Sequence, residues 1–381
     1  MSRRAVVLCL LALLATACPA DREAVDVPSP DVATNGQVEA KPRYRTPPPI
    51  PAFPEEVPPW PGSLRDVLFV TDRVGYAVGD RVILATFDAG AMWVQQYEGA
   101  AEFWQVTFVD RSHGWALGPD GLFATIDGGQ LWEPTNSDTP LVSVHFHNAS
   151  DAWGVAGSDR WQGGPLVATD DGGRTWRPVD APGAVDDACT LEGRSGWVVL
   201  SARGVAARTE DGGRTWRSVA LSHWDGGEVQ CTDDGGAWVH AFGEGAGGHT
   251  SHSLARVEAD GRTRTVGCHA WGQPCIEPVT VGLRGGLGPM SSVDGDTAVV
   301  IDRTQDPSIP GELARIEQGG AAVTFAPLPA GEHPNAAAFR TGRLGWVVGS
   351  IRTGVDWHAA IWGTDDGGTT WTQQYGPPDG A

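Results

Sequence analysis

From residue 62 to residue 375, apolar and polar positions alternate in short runs, and no stretch carries an apolar stripe at helical spacing. "LRDVLFV" (64–70), "FWQVTFV" (103–109) and "LVSVHFH" (141–147) each send every second side chain to one face, the period of a half-buried strand. Shorter runs, "DDACTL", "EVQCT" and "AAAFR", recur at corresponding places further on. After each comes a small residue, an aromatic and more apolar residues, centred on Tyr76, Trp115, Trp153, Trp197, Trp238 and Trp346. A Gly-rich turn, a third apolar run such as "LFATI", a tight turn and a fourth run such as "LWEPT" complete the unit. Four short antiparallel strands in about 40–45 residues make one propeller blade. The units fall at 62–98, 101–136, 139–180, 184–220, 225–267, 277–328 and 333–375. The pattern therefore predicts an all-β, seven-bladed β-propeller. Blades five and six are degenerate: "ARVEADGRT" stands where a turn motif is expected, and "DTAVVID" and "LARIEQGGAAV" are the recognisable strands of the sixth.

One phrase, Thr-x-Asp-x-Gly-x-x-Trp, occurs five times between the third and fourth strands. Its anchors are Thr86/Asp88/Gly90/Trp93, Thr125/Asp127/Gly129/Trp132, Thr169/Asp171/Gly173/Trp176, Thr209/Asp211/Gly213/Trp216 and Thr364/Asp366/Gly368/Trp371. A short carboxylate at a tight turn accepts backbone N–H groups of that turn. Glycine supplies a positive φ, and the tryptophan opens the outer strand and lays an apolar face on the sheet. These aspartates are therefore expected to be structural rather than catalytic.

The phrase resembles the Asp-box, or bacterial neuraminidase repeat, which in such propellers lies on the rim away from ligand sites. The longer string "HGWALGPDGLFATIDGGQLW" (113–132) is similar to propellers of the photosystem II assembly and stability factor type. That resemblance implies a seven-bladed, noncatalytic propeller that holds membrane-protein partners, without implying photosynthesis. No motif fixes which arginines here would correspond to that family's partner-binding cluster.

Composition adds compartment and partner class. The formal charge is −20 and Lys41 is the one lysine, which argues against nonspecific nucleic-acid binding and against docking on anionic lipid through a basic patch. "MSRRAVVLCLLALLATAC" carries two arginines, an apolar run too short to span a bilayer, and small residues before Cys18. It resembles a bacterial lipoprotein signal: residues 1–17 would be removed and Cys18 lipidated. Ordinary cleavage and secretion is the alternative. Residues 18–61, with twelve prolines after Cys18, read as a tether, 62–375 as the propeller and 376–381 as a tail. The expected location is the cell envelope, on the periplasmic side or at the outer membrane. Four cysteines then remain. Cys189 and Cys231 hold nearly the same place on the first strands of blades four and five, and Cys268 with Cys275 would close a small loop. Buried free thiols are the alternative.

Catalytic constellations are sparse. The sialidase alternative lacks an Arg-Ile-Pro signature, "SIPG" at 308–311 being the nearest string, and its best tyrosine, Tyr97, neighbours a Glu98 that points to the opposite face. Asp186/Asp187 and Asp233/Asp234 flank strands expected to line the channel and are the carboxylate candidates for a glycoside hydrolase. His145 and His147 share one face without an evident third ligand, and His249 and His252 form a weaker pair; no metal or cofactor is assigned. The irregular stretches 156–166, 240–253, 268–290 and 351–360 depart from the repeat and are the candidate interaction loops. Arg160, Trp161, Trp271, Arg352 and Trp357 are their candidate binding residues. The expected function is a noncatalytic cell-envelope lipoprotein that scaffolds a membrane or envelope protein. A carbohydrate-binding or glycoside-hydrolase propeller, with a glycan as partner, is the alternative.

Overall fold

The computed structural model describes residues 62–159, 162–191, 194–221, 225–244, 250–269, 286–303, 311–329 and 333–377. These residues form seven four-stranded antiparallel sheets, each built from four strands consecutive in sequence. The innermost strands are Leu64–Phe69, Gln105–Phe108, Leu141–Phe146, Asp187–Thr190, Gly226–Cys231, Gly286–Ser292 and His333–Phe339. The fold is a seven-bladed β-propeller, and no strand is shared between blades.

Seven hydrophobic clusters hold the ring together, each shared by two neighbouring blades. Between blades one and two lie Tyr76, Val78, Ile83, Phe103, Val106 and Trp132; between blades seven and one lie Leu64, Phe69, Leu84, Trp346, Val348 and Ile361. Every blade therefore buries both faces, which is why second strands such as Gly75–Gly79 and Gly114–Gly118 read as unbroken apolar runs and are buried throughout. The aromatic of each second strand serves this packing. Tyr76 stacks on Phe108 at 3.8 Å, Trp115 on Phe146 at 3.5 Å and Trp346 on Phe69 at 3.3 Å, each pair spanning two blades. The last of these closes the ring, with Gln374 Nε2 donating to Ala89 O at 3.2 Å.

Two local expectations change. The outer strands of blades two and three shrink to Glu133–Pro134 and Arg177–Pro178, because proline cannot donate to a ladder. Blade five, degenerate in sequence, is fully formed with two eight-residue strands, Ala237–Glu244 and Thr250–Val257. There Arg256 takes over the bracing. Its Nε donates to Gly295 O of blade six at 2.7 Å and Nη1 to Ala237 O at 3.1 Å, it pairs with Asp234, and it lies over the Trp238 ring.

Candidate binding face and channel

The meander sorts its turns to two ends. First-to-second and third-to-fourth turns meet at one end, where Ala89 N donates to Arg73 O, Gly128 N to Ser112 O and Gly172 N to Ser150 O. Second-to-third turns and blade-to-blade connections meet at the other, where Gly164 pairs with Val185 and Asp80 N donates to Ser63 O.

All five Asp-boxes lie at the first end. In each, the buried threonine hydroxyl is the hub: Thr169 Oγ1 donates to Asp171 Oδ1 at 2.8 Å and accepts Gly173 N–H at 3.1 Å. Asp171 Oδ1 also accepts the N–H groups of Arg174 and Thr175, both at 2.9 Å. The same bonds link Thr86 to Asp88 and Gly90, Thr125 to Asp127 and Gly129, Thr209 to Asp211 and Gly213, and Thr364 to Asp366 and Gly368. The box glycines sit at φ of 86° to 90°, where a side chain would be strained. Bonds from the Thr215 hydroxyl and N–H and from the Thr209 hydroxyl hold the Asp211 carboxyl down to about 2; those of Thr370 do the same for Asp366.

The box tryptophans correct one expectation. None of them opens the outer strand: Trp93, Trp132, Trp176, Trp216 and Trp371 each stand one residue ahead of it, the strand after Trp176 being Arg177–Pro178. Trp93 and Trp132 are buried, whereas Trp176, Trp216 and Trp371 are only partly buried. The reason is that the indoles serve the loop and the blade interface: Trp176 and Trp216 close their own box loops through Nε1, while Trp93 and Trp132 fill the clusters between neighbouring blades. Trp176 Nε1 donates to Gly173 O of its own box at 3.1 Å, and its ring meets Phe146 edge-on at 6.4 Å. Trp216 Nε1 reaches back to Asp180 O at 2.7 Å and Trp371 Nε1 to Pro327 O at 3.0 Å.

The seven inner strands surround a channel cavity of about 480 Å³. Its polar side chains form a closed ring of links from each blade to the next. Asp66 accepts Val106 N–H at 2.8 Å, and Gln105 bonds Val144 N and O at 3.0 and 2.8 Å. The Ser143 hydroxyl donates to Asp187 Oδ1 at 2.8 Å, and Asp187 Oδ2 accepts Val229 N–H at 3.0 Å. Gln230 bonds Met290 O and Ser292 N at 2.8 and 2.7 Å, Ser291 Oγ accepts Phe339 N–H at 2.9 Å, and Asn335 donates to Leu64 O at 2.8 Å. Beside this ring Cys189 and Cys231 are disulfide-bonded, with Cα atoms 5.6 Å apart. The linking residues escape the repeat consensus because their type changes from one blade to the next, between aspartate, glutamine, serine and asparagine; their common signal is a polar residue on the alternating face of a first strand.

The carboxylate candidates separate. Asp187 opens its inner strand and lines the channel, where burial, with help from the nearby Glu228 charge, pushes its carboxyl up to about 7 against the bonds from Val229 and Ser143. Asp234 lies beyond the far end of the next inner strand, bonded to Thr232 Oγ1 at 2.6 Å and paired with Arg256. Asp233 shares that turn, so the two pairs occupy opposite ends and do not face each other. His145 Nδ1 lies 2.9 Å from the Thr190 hydroxyl and accepts Thr190 N–H at 3.2 Å, which leaves the proton on Nε2. Burial and then His147 lower its pKa to about 4, and His147 lies past the strand end. His252 is buried, its Nδ1 3.1 Å from His240 Nε2; His249 lies outside the described residues. Among the described residues no group of three or more His, Cys, Asp or Glu side chains could hold a metal ion. Tyr97 packs edge-on against Phe103 and Phe123.

By this topology the described parts of the irregular stretches 156–166, 240–253 and 351–360 all fall at the end opposite the Asp-boxes. There the hairpin Gly345–Thr353/Asp356–Thr364 rises past its blade. Arg352 pairs in register with Trp357 and lies 5.9 Å over its ring; Trp357 is 39% exposed and its carbonyl accepts Gly62 N–H. Arg160, Trp161, Trp271, Cys275 and the Cys268 side chain lie outside the described residues, as does most of 268–290. No helix among the described residues is long and apolar enough to cross a membrane.

The fold and repeat define an Asp-box β-propeller. A family model described as photosynthesis system II assembly factor YCF48 matches residues 94–220, from the outer strand of blade one through blade four. Among solved structures, YCF48 bound to a D1 peptide is 17% identical with a TM-score of 0.51, over 81% of this chain and 93% of that one. A GH74 xyloglucanase from Xanthomonas campestris is 16% identical with a TM-score of 0.56, over 84% of this chain and 55% of that one. A catalytically inactive virginiamycin B lyase from Staphylococcus aureus with quinupristin is 12% identical with a TM-score of 0.51, over 79% and 94%. At these identities the likeness is one of fold. No curated protein matches the chain.

Proposed function

We propose that this protein is a noncatalytic platform that binds another protein at the end of the propeller opposite the Asp-boxes. The observation that carries the reading is the division of labour between the two ends. The repeat's geometry is used up in boxes at one end and in the channel ring, while the irregular hairpins gather at the other, with Arg352 stacked on a half-exposed Trp357. The partial match to an assembly-factor family, and a structure of such a factor bound to a peptide, support a protein partner. The leader and the proline-rich segment support the further reading that the propeller is lipid-anchored at Cys18 and serves a membrane or envelope protein. Affinity capture of the full chain from its own membranes in mild detergent, with mass spectrometry of the eluate, tests this. One stoichiometric membrane protein, lost in Trp357→Ala, is the expected result; an eluate holding the propeller alone would refute it.

A second reading, glycoside hydrolysis, has one observation in its favour. Asp187, its carboxyl held near neutrality beside Glu228 in the channel, has the protonation a general acid needs. Both of its oxygens already serve inter-blade bonds, which favours the structural role. Reducing-end release from β-glucans and xyloglucan, abolished in Asp187→Asn, would establish the hydrolase instead.

A further inference from the structure

The channel is uneven along its length. Among the described residues its charged lining side chains are Arg65, Asp66, Asp186, Asp187, Glu228 and Arg340. The inner strands all start at the end opposite the Asp-boxes, and the carboxyl groups fall where they start. Asp187 opens its strand and Asp186 directly precedes it, while Asp66 and Glu228 are the third residues of Leu64–Phe69 and Gly226–Cys231. Arg340, just past His333–Phe339, and His145, near the end of its own strand, lie toward the boxes. At the acidic mouth the lining cation among the described residues is Arg65, and it is turned aside: its Nε and Nη2 reach Asp80 Oδ1 at 2.8 and 2.7 Å.

Other features of this mouth suit a cation. The Glu228 side chain is 40% exposed, so its carboxylate is open to solvent. In register with it on the neighbouring strand stands His240, 3% exposed. Among the described residues His240 Nδ1 makes no hydrogen bond, and it faces Glu228 Oε2 at 3.8 Å. The contact of His240 Nε2 with His252 Nδ1 at 3.1 Å takes one proton; carried by His240, that proton leaves Nδ1 an acceptor beside the carboxylate. Trp104, directly ahead of Gln105–Phe108, and Phe242, in register with Gly226, add aromatic faces to the same cavity. Burial and then the Glu228 charge hold the Asp187 carboxyl up at about 7, so the channel retains a proton where an exposed acid would release it. Asp186 Oδ1 stands 3.1 Å from where a Cβ on Gly163 would lie, which puts an acid against the irregular stretch 156–166.

We infer, on the reading that a protein partner binds at this end, that the channel mouth seats a basic side chain of that partner, lysine or arginine. The cavity of about 480 Å³ falls within the roughly 300–1,000 Å³ of ligand pockets and has room for one long side chain. The carboxylates supply the charge, and the aromatic rings cover an aliphatic stem or a guanidinium face. The chain's net charge of −20 draws a cationic segment toward it, whereas an acidic segment or an anionic bilayer is repelled.

The full chain is titrated by calorimetry with Gly-Ser peptides of equal length that carry either arginines or glutamates. The arginine peptide should bind about tenfold tighter than the glutamate peptide or better. Asp186→Asn with Glu228→Gln should lose about tenfold of that affinity. Asp170→Asn with Asp365→Asn removes the same charge from exposed Asp-box turns and should leave it nearly unchanged. A diazirine on the arginine peptide should cross-link to residues 102–107, 185–188 or 225–230, mapped by mass spectrometry, which locates the site even where the first double variant folds poorly. No arginine-peptide binding, equal loss in both double variants, or cross-links confined to the Asp-box turns overturns the inference. So does binding that appears only after Lys41→Gln, Arg43→Gln and Arg45→Gln, which would seat the chain's own basic stretch in the mouth. Capture from membranes keeps the two readings apart. A partner lost in Trp357→Ala but kept in Asp186→Asn with Glu228→Gln overturns the basic occupant alone. An empty eluate beside specific arginine-peptide binding overturns the platform reading alone.

Discussion

Replacing Asp187 with asparagine should make the propeller more stable at alkaline pH and leave it little changed in acid. The side chain links blades three, four and five, accepting from Ser143 and Val229, and asparagine can keep both contacts by accepting one bond and donating the other. What asparagine cannot carry is charge. Enclosure in the channel raises the Asp187 carboxyl from the ordinary 3.8 to about 7, so the folded protein holds this proton more tightly than the unfolded chain does. Stability therefore falls as pH rises from about 4 through 7, and the loss is complete above the folded value. At about 1.36 kcal/mol per unit, the difference is on the order of 4 kcal/mol, an upper bound because the channel admits water. Urea unfolding of both proteins at pH 5 and pH 8.5 measures it. The variant should gain on the wild type by several kcal/mol between the two conditions. Parallel pH dependences would refute the argument and mean that the carboxylate is solvated in the channel.

Other outcomes follow from the same bonds. Reducing the Cys189–Cys231 disulfide, which closes a sequence separation of 42, should cost about 4 kcal/mol by loop entropy, read as a lower melting temperature in reductant. Thr169→Val removes a buried hub and should destabilise by about 1–3 kcal/mol in chemical denaturation, whereas Thr175→Val, at the exposed edge of the same box, should cost less. Asp211 and Asp366 are held at about 2, below their unfolded range; their contribution is present above the ordinary 3.8 and lost as pH falls through 2, so Asp211→Asn should flatten the acid limb of a pH–melting curve. Trp357→Ala should leave the melting temperature within about 2 °C while abolishing partner capture, because this half-exposed side chain belongs to a hairpin beyond the blade.

The architecture is legible in the sequence because it is written repeatedly. Alternation, the aromatic of the second strand and the box phrase each recur at fixed offsets, so one weak signal is reinforced by its copies. Blade five shows where that reasoning thins: without a box, its strands are hard to delimit, its third-to-fourth turn is closed by backbone bonds between Glu258 and Arg262, and Arg256 instead ties the blade to Gly295 of the next one. The box tryptophans show a second limit. Spacing places Trp176 and its equivalents at the end of the box, but whether the indole joins the strand or folds back on the loop is decided by bonds such as that from Trp176 Nε1 to Gly173 O. The channel ring is illegible for a related reason. Asp66, Gln105, Asp187, Gln230, Ser291 and Asn335 share a task but not a chemistry, and only their position on the inner strands unites them.

The ring also sets how this protein can come apart. In an open repeat array the terminal units have one neighbour and fray first. Here every blade shares two clusters and two channel links, and the seam between blades seven and one is closed by the same kinds of contact as the other six. No blade is an end in the energetic sense. The propeller should therefore lose structure in one cooperative step, with hydrogen-exchange protection nearly even around the circle rather than graded along the chain.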